Sequence, residues 1–380
     1  MHTYLQSKES EMLSLIERLV NIDSGSNNKK GIDAIGTILR AEYEQLGFLV
    51  ETVEQPNNGN HLVIKHKNAT NPQIFLCAHM DTVFKDGTAA ERPFTIKGDR
   101  AYGPGVIDMK SSHVALLYAL KALILDEQQG VENVCIVLNS DEEIGSPTSR
   151  KLIEATAAGK QYALIMEPAR KDGSFVSARR GGGSYSLFVT GKAVHAGIEP
   201  QNGRSAIEEL AQKIIKLHKL TDHEEGISVN VGLIEGGDSV NTVAPSAVAH
   251  VDIRISRMEQ QEYLDNCVKA ICVTPDVPGT SIKLTGGINR PPMVKNEKTV
   301  ELLEVVKAVG EPLGITIADT ATGGGSDASF TSGIGIPTLD GFGPVGGNVH
   351  SEEEYLEIPT LVERTHLLSK VIAHLSTTKS

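Results

Sequence analysis

His79 and Asp81 stand two positions apart in the stretch Cys77 to Phe84, CAHMDTVF, just after the apolar run Ile74-Phe75-Leu76. The run reads as a short buried strand. A histidine at a strand end sits on a rigid platform and can be aimed at a metal. A carboxylate two residues on can hold the other ring nitrogen, which fixes the tautomer and raises the basicity of the ligand. Four further segments carry donors of the same kind: Asp108 in YGPGVIDMKSS, Glu142-Glu143 in NSDEEIGS, Glu167 in IMEPAR and His350 in GNVHSEEEY. Singly, each has an ordinary explanation: a helix cap, a solvated acidic loop, a strand-end charge, a surface histidine. Together they offer hard oxygen and imidazole nitrogen donors after strands or glycine-rich turns. Two metals about 3.5 Å apart need one bridging carboxylate and two more ligands each, and that requirement matches such a set. The four cysteines, Cys77, Cys135, Cys267 and Cys272, are not at finger spacing, so a structural zinc finger is excluded.

The elements that must position these residues alternate. Amphipathic helices are expected from Ser10 to Val20 and from Ile32 to Leu46, with Gly47 as a stop. Strands follow at 49–53, 62–65 and 74–77, then a helix from about Ser111 that either Ser111 or Ser112 would cap. A strand at 134–138 delivers the DEE run, a helix spans 147–157, and a strand at 163–166 delivers Glu167. This order implies an α/β domain with a mostly parallel, doubly covered sheet, whose sites lie beyond the strand ends. The texture changes near Ser177, where Arg179-Arg180-Gly181-Gly182-Gly183 reads as a hinge. Strand, helix, strand, strand, helix, strand then describe a smaller α+β insert, with GINRPPM as a second hinge. After it come a helix at 297–313, a short strand near Ile315 and a closing helix at 361–375. The catalytic domain is therefore expected in two parts, 1–178 and 291–380, interrupted by an insert at 179–290.

Composition bounds the function. The 380 residues carry a net charge of −12, which argues against nucleic acid as a partner. No run approaches the roughly 20 apolar residues of a membrane span, and the first residues lack the apolar core of a signal peptide. With few cysteines, these features lead us to expect a soluble protein of the cytoplasm. Gly323–Gly325 lacks the phosphate-loop pattern and reads as a close-packed turn.

The motifs AHMDTV, YGPGVIDMK, SDEEIGS, MEP, GKAVHAG, GGGSDA and NVHSEEE span nearly the whole chain. Together they resemble the di-zinc metallopeptidases that include glutamate carboxypeptidase, acetylornithine deacetylase, succinyl-diaminopimelate desuccinylase and aminoacylase. The segment KDGTAAERPFTIKGDRAYGPG looks most like the bacterial glutamate carboxypeptidase branch. By this resemblance Asp108 bridges two zinc ions, His79 and Glu167 complete one site, and Glu143 and His350 the other. Glu142 matches the general base and Asp81 the carboxylate that steadies His79. Cobalt or manganese would suit the same donors. Ser111-Ser112 depart from a glycine pair that often follows the lysine, at the helix entry and not at a ligand.

The insert resembles a lid that also forms a homodimer interface. His195 in VHAG matches a histidine that reaches the partner's site and binds the developing oxyanion. Asn241, Arg254 and Arg290 match residues that contact the substrate, and a guanidinium is the natural grip for a carboxylate. The expected activity is hydrolysis of an amide or peptide bond next to a carboxylate-bearing amino acid. N-acyl amino acid deacylase and dipeptidase activities are its alternatives. A silent binding protein would have a broken ligand set or no Glu142, and neither is seen. Calcium is disfavoured by two histidines among the ligands.

Overall fold

The computed structural model describes residues 1–126 and 130–377. They form two compact units. The first comprises Met1–Ala178, Lys295–Thr322 and the chain from Ser326 on, the second Arg179–Val294 with Gly323–Gly325.

The first unit is built on an eight-stranded sheet. Its order is Phe48–Val53, His61–His66, Val134–Asn139, Ile74–His79, Tyr162–Ile165, Thr338–Asp340, Phe175–Arg179, Asp319–Thr322. The four central strands are parallel, and antiparallel pairs flank them. Ile74–His79 and Val134–Asn139 are buried along their whole length. That explains their unbroken apolar runs, since parallel strands are covered on both faces. The helix Ser111–Leu125 is apolar around almost its whole circumference. It packs against His2–Val20 and Ile358–Thr377, so few of its side chains reach water. Because the central strands run the same way, His79, the segment after Asn139 and the segment after Ile165 leave the sheet at one edge. A small antiparallel sheet of Gly346–Gly347, Tyr355–Glu357, Arg100–Tyr102 and Thr95–Lys97 joins the chain before Asp108 to the chain after His350.

The second unit is an antiparallel sheet in the order Ser228–Gly236, Ser246–Ile255, Gly181–Thr190, Ser281–Arg290. Helices Ala206–His218 and Glu259–Val273 pack on it. Alternate residues such as Tyr185, Leu187, Val189 and Val251, Ile253, Ile255 point into their shared core.

Four local readings change. The glycine run expected as a hinge begins a strand of ten residues, Gly181–Thr190. A β-carbon at Gly182 would lie 2.2 Å from the Ile253 carbonyl oxygen, and one at Gly183 2.1 Å from that of Gly287. These glycines allow close strand approach. The helix expected from residue 147 starts at Arg150, because the Asp141 carboxylate accepts the N–H groups of Thr148 and Ser149 and holds them in a turn. The strand expected near Ile315 is a loop. There Ile315 donates its N–H to Gly310 and packs on the core, and pairing begins at Asp319. Neither Ser111 nor Ser112 caps its helix. Both hydroxyls are buried without a hydrogen-bond partner; the helix runs on directly from the turn Val106–Lys110, whose Val106 carbonyl accepts the Ser111 N–H. No described helix is long and apolar enough to cross a membrane.

Candidate metal centre

His79 is the last residue of its strand and is held at every polar atom. Its N–H points at the Met109 sulfur, 3.2 Å away. Its carbonyl accepts from Nε2–H of the buried His113 at 2.6 Å. Its Nδ1–H donates to the backbone carbonyl of Asp81 at 2.9 Å. A carbonyl can only accept, so this bond keeps a proton on Nδ1 and turns Nε2 toward the neighbouring carboxylates. Nε2 lies 3.1 Å from Asp108 Oδ1 and 3.8 Å from Glu167 Oε1.

On the other side of Asp108, Oδ2 lies 3.3 Å from His350 Nε2, which is 3.2 Å from Glu143 Oε2. His350 has a left-handed backbone, φ 63°, in a turn where Ser351 N–H bonds to the Asn348 carbonyl. Asp108 thus turns one oxygen to each histidine. His79, Asp108 and Glu143 form one group able to hold a metal, and His79, Glu142 and Glu167 a second. Glu142 therefore stands on the His79–Glu167 side.

Asp81 does more than face the imidazole. Its carboxylate is 3.5 Å from His79 Nδ1, farther than its own carbonyl. The carboxylate instead accepts the N–H groups of both Glu142 and Glu143 at 3.1 Å and the Ser26 hydroxyl at 2.7 Å. One residue therefore sets the histidine with its backbone and the Glu142–Ile144 turn with its side chain. Behind that turn, buried Asp327 accepts from Asn139 at 2.7 Å and from Ser146. Glu167 follows Tyr162–Ile165, and its carbonyl takes the Gly343 N–H at 2.9 Å. A β-carbon at Gly343 would lie 2.2 Å from the Ser112 hydroxyl. The serine pair at the helix entry is accommodated by this glycine.

The electrostatics suit cations. Burial opposes ionisation of Asp108, yet the His350 and His79 imidazoles outweigh it and hold its carboxyl below the usual range. Burial also works against a charge on His79, but the Asp108 and Asp81 carboxylates keep its pKa well above ordinary. Asp108 and Glu143 raise His350 to about 10. Burial, then the nearby Asp108, pushes Glu167 well up, and burial raises Glu143. No lysine or arginine is paired with Asp108, Glu143 or Glu167, whose ion pairs among the described residues are all to His79 and His350. Glu143 Oε1 is buried without a partner. Carboxylates packed this way need positive charge between them. The donor set, nitrogen and oxygen in two groups that share His79, with Asp108 also facing His350, fits a pair of divalent metals. Glu143 also lines a cavity of about 650 Å³ between residues 25–28 and 82–86, where Phe84 and Ile144 contribute apolar surface.

His195, Asn241, Arg254 and Arg290 belong to the second unit and not to the converging set. There Asn241 O accepts the Ala196 N–H at 2.8 Å, so the His195 and Asn241 loops pair. Arg254 is engaged by both oxygens of Asp252, each at 2.9 Å. His113, Ser26 and Asp327 did not stand out in the sequence. For His113 the available signal was a histidine inside an otherwise apolar helix. For Asp327 it was its place in the GGGSDA motif; for Ser26 there was none, since its partner is 55 residues away.

A family model described as peptidase family M20/M25/M40 matches residues 75–374. Carboxypeptidase G2 of Pseudomonas sp. (strain RS-16) is 30% identical over 380 residues, covering 98% of this chain and 91% of that protein. A succinyl-diaminopimelate desuccinylase of Janthinobacterium sp. (strain Marseille) is 28% identical, covering 92% and 95%. Among solved structures, the aminopeptidase PepT of Bacillus cereus superposes with a TM-score of 0.80 at 21% identity, covering 97% of this chain and 99% of that one.

Proposed function

The chain belongs to the M20/M25/M40 family of peptidases and is a metal-dependent hydrolase of peptide or amide bonds; on that premise we propose that it cleaves the amide beside a carboxylate-bearing amino acid, as a glutamate-carboxypeptidase-like exopeptidase. The observation that carries the site assignment is Asp108, which directs one oxygen to His79 and the other to His350. In this reading Asp108 would help hold both of two zinc ions, with His79 and Glu167 completing one site and Glu143 and His350 the other. Cobalt or manganese would suit the same donors. Bound there, two ions supply the charge that makes water acidic near neutral pH and polarises the scissile carbonyl.

The remaining work falls to side chains. Glu142 takes the proton of the attacking water on its carboxylate and passes it to the leaving amine nitrogen. Asp81 holds the Glu142–Ile144 turn through the backbone, so Glu142 keeps its aim. His195 Nδ1 accepts the Gly197 N–H at 3.1 Å, which leaves the proton on Nε2 of an exposed ring. That N–H is a donor suited to a developing oxyanion, and we assign it to the site of a partner subunit. A homodimer through the second unit is supported by Leu233 and Ile234 on the edge strand Ser228–Gly236, exposed at 67% and 63%. Unpaired strand edges with apolar side chains favour association.

Arg290, at the end of strand Ser281–Arg290 in the GINRPPM segment, is our first choice for the substrate carboxylate, since a planar guanidinium can grip a carboxylate with two parallel bonds. Asn241 Oδ1 accepts the Ser239 hydroxyl at 2.9 Å, which turns the amide N–H groups into its available donors toward substrate. Four free cysteines, three of them buried, support a reducing cytoplasm as the compartment. The relative named as a succinyl-diaminopimelate desuccinylase supports N-acyl amino acid deacylation as the second reading.

The test is a panel of peptides with C-terminal glutamate, N-acyl-glutamates, and N-succinyl or N-acetyl diamino acids, assayed with and without added zinc. Turnover of the first two groups that depends on the free carboxylate is expected. Preference for the diamino acids would favour the deacylase. Arg290→Ala should raise KM for an acyl-glutamate more than for its amide analogue. Equal effects on the two would remove Arg290 from carboxylate reading.

A further inference from the structure

We propose that Glu354 is a positioning residue that locks the Asp108 loop to the His350 loop and so presents both oxygens of Asp108 to the metals. The proposal rests on the two-ion reading of the site. Glu354 is 1% exposed. Its Oε1 accepts the N–H groups of Ile107 at 2.9 Å and Asp108 at 3.1 Å, and its Oε2 accepts the N–H of Gly105 at 3.1 Å. These are the hydrogen bonds of its carboxylate among the described residues. The nearby Lys110 ammonium is spent on the Ile22 carbonyl at 2.9 Å.

The geometry explains why a carboxylate is needed here. The loop from Gly103 to Asp108 turns through Gly105 at φ 71°. A β-carbon at Gly105 would lie 2.5 Å from Thr82 Cγ2, so the loop has little room to shift. Its N–H groups point inward, where only an acceptor can satisfy them. Two carboxylate oxygens satisfy all three. A glutamine would set an N–H against an N–H on one side, and an aspartate would fall short. The backbone of the same residue is tied to the turn that follows His350. Glu354 N–H bonds to the Ser351 carbonyl at 3.3 Å, and the chain continues into Tyr355–Glu357, paired with Arg100–Tyr102. One buried side chain thus joins two ligand segments that are 246 residues apart at the Asp108 bond. Outer partners of this kind govern ligand orientation, and their loss typically lowers metal affinity about 10–100-fold.

The test titrates zinc into metal-free wild type, Glu354→Gln, Glu354→Asp and the exposed neighbour Glu353→Gln, in competition with a chromophoric chelator. Thermal unfolding of each metal-free protein is measured beside it. Wild type and Glu353→Gln should bind two ions alike. Glu354→Gln and Glu354→Asp should lose about 10–100-fold in affinity while the folded fraction persists, and at saturating zinc their kcat should fall with KM little changed. Unaltered affinity in folded Glu354→Gln overturns the proposal, as does a lowered melting temperature with unaltered affinity. Should both Glu354 variants fail to fold, amide exchange in the metal-free wild type decides. Protected Gly105, Ile107 and Asp108 N–H groups support the lock, and freely exchanging ones overturn it. A wild type that binds fewer than two ions would instead overturn the two-ion reading.

Discussion

Adjacent glutamates in one turn are offered different surroundings. Glu143 lies 3.2 Å from His350, with its second oxygen buried and unpaired. Glu142 groups instead with His79 and Glu167. Replacing either carboxylate by an amide changes little in volume, so the two variants separate ligand from base. Glu142→Gln should keep two metals and lose about 10²–10⁴-fold in kcat. Glu143→Gln should lose metal first and activity as a consequence. Metal content and kcat measured on the same preparations check this, and swapped phenotypes would move the assignment by one position. Asp108→Ala should strip both sites, because its two oxygens face different histidines.

At the scale of the element, the site depends on a turn that is held from outside. The Glu142–Ile144 turn lies against Asp81, whose carboxylate accepts two N–H groups and the Ser26 hydroxyl. Ser26 comes from the segment between helices His2–Val20 and Lys29–Gln45, far from any ligand in sequence. Ser26→Ala removes one hydrogen bond to a charged, buried acceptor, worth about 1.5–3 kcal/mol. Urea unfolding of the metal-free protein should show a loss of that order, with a smaller kcat and unchanged metal stoichiometry. Wild-type stability in this variant would mean that Asp81 is held by its other two donors alone.

Across the whole molecule, protons and subunits report on the assembled site. His79 and His350 both hold protons more tightly than an ordinary histidine, and burial raises Glu143 and Glu167 as well. Metals bind the deprotonated forms, so zinc uptake near neutral pH must expel these protons. Affinity should therefore climb as pH rises toward the His350 value of about 10 and fall as pH drops. Calorimetry in buffers of different ionisation enthalpy should find at least both imidazolium protons released. Uptake without proton release would mean that the two histidines are not ligands. The proposed dimer has its own test. Inactive Glu142→Gln and inactive His195→Ala subunits, mixed, should recover activity in heterodimers that pair a wild-type Glu142 site with a wild-type His195. Complete subunit exchange without recovered activity would count against action in trans.

Much of this protein is written locally. Alternating strand and helix patterns were enough for the α/β class, and motifs such as AHMDTV, YGPGVIDMK and SDEEIGS for the resemblance to the peptidase family, because strand burial and donor chemistry depend on short spans. The candidates His79, Asp108, Glu143, Glu167 and His350 were named from such spans, and the structure brings them together. What joins distant segments was not legible. The split of Asp108 between two histidines depends on the central strand that ends in His79 and on the small antiparallel sheet that joins the chain before Asp108 to the chain after His350. The three glycines at 181–183 read as a hinge because their composition is flexible, yet neighbouring strands make them obligatory in a sheet. Glu354 stands beside Glu352 and Glu353 in the sequence, with nothing local to set it apart. Only the small sheet that carries it to the Asp108 loop turns its carboxylate inward, and three backbone N–H groups, invisible in any sequence, decide what it does there.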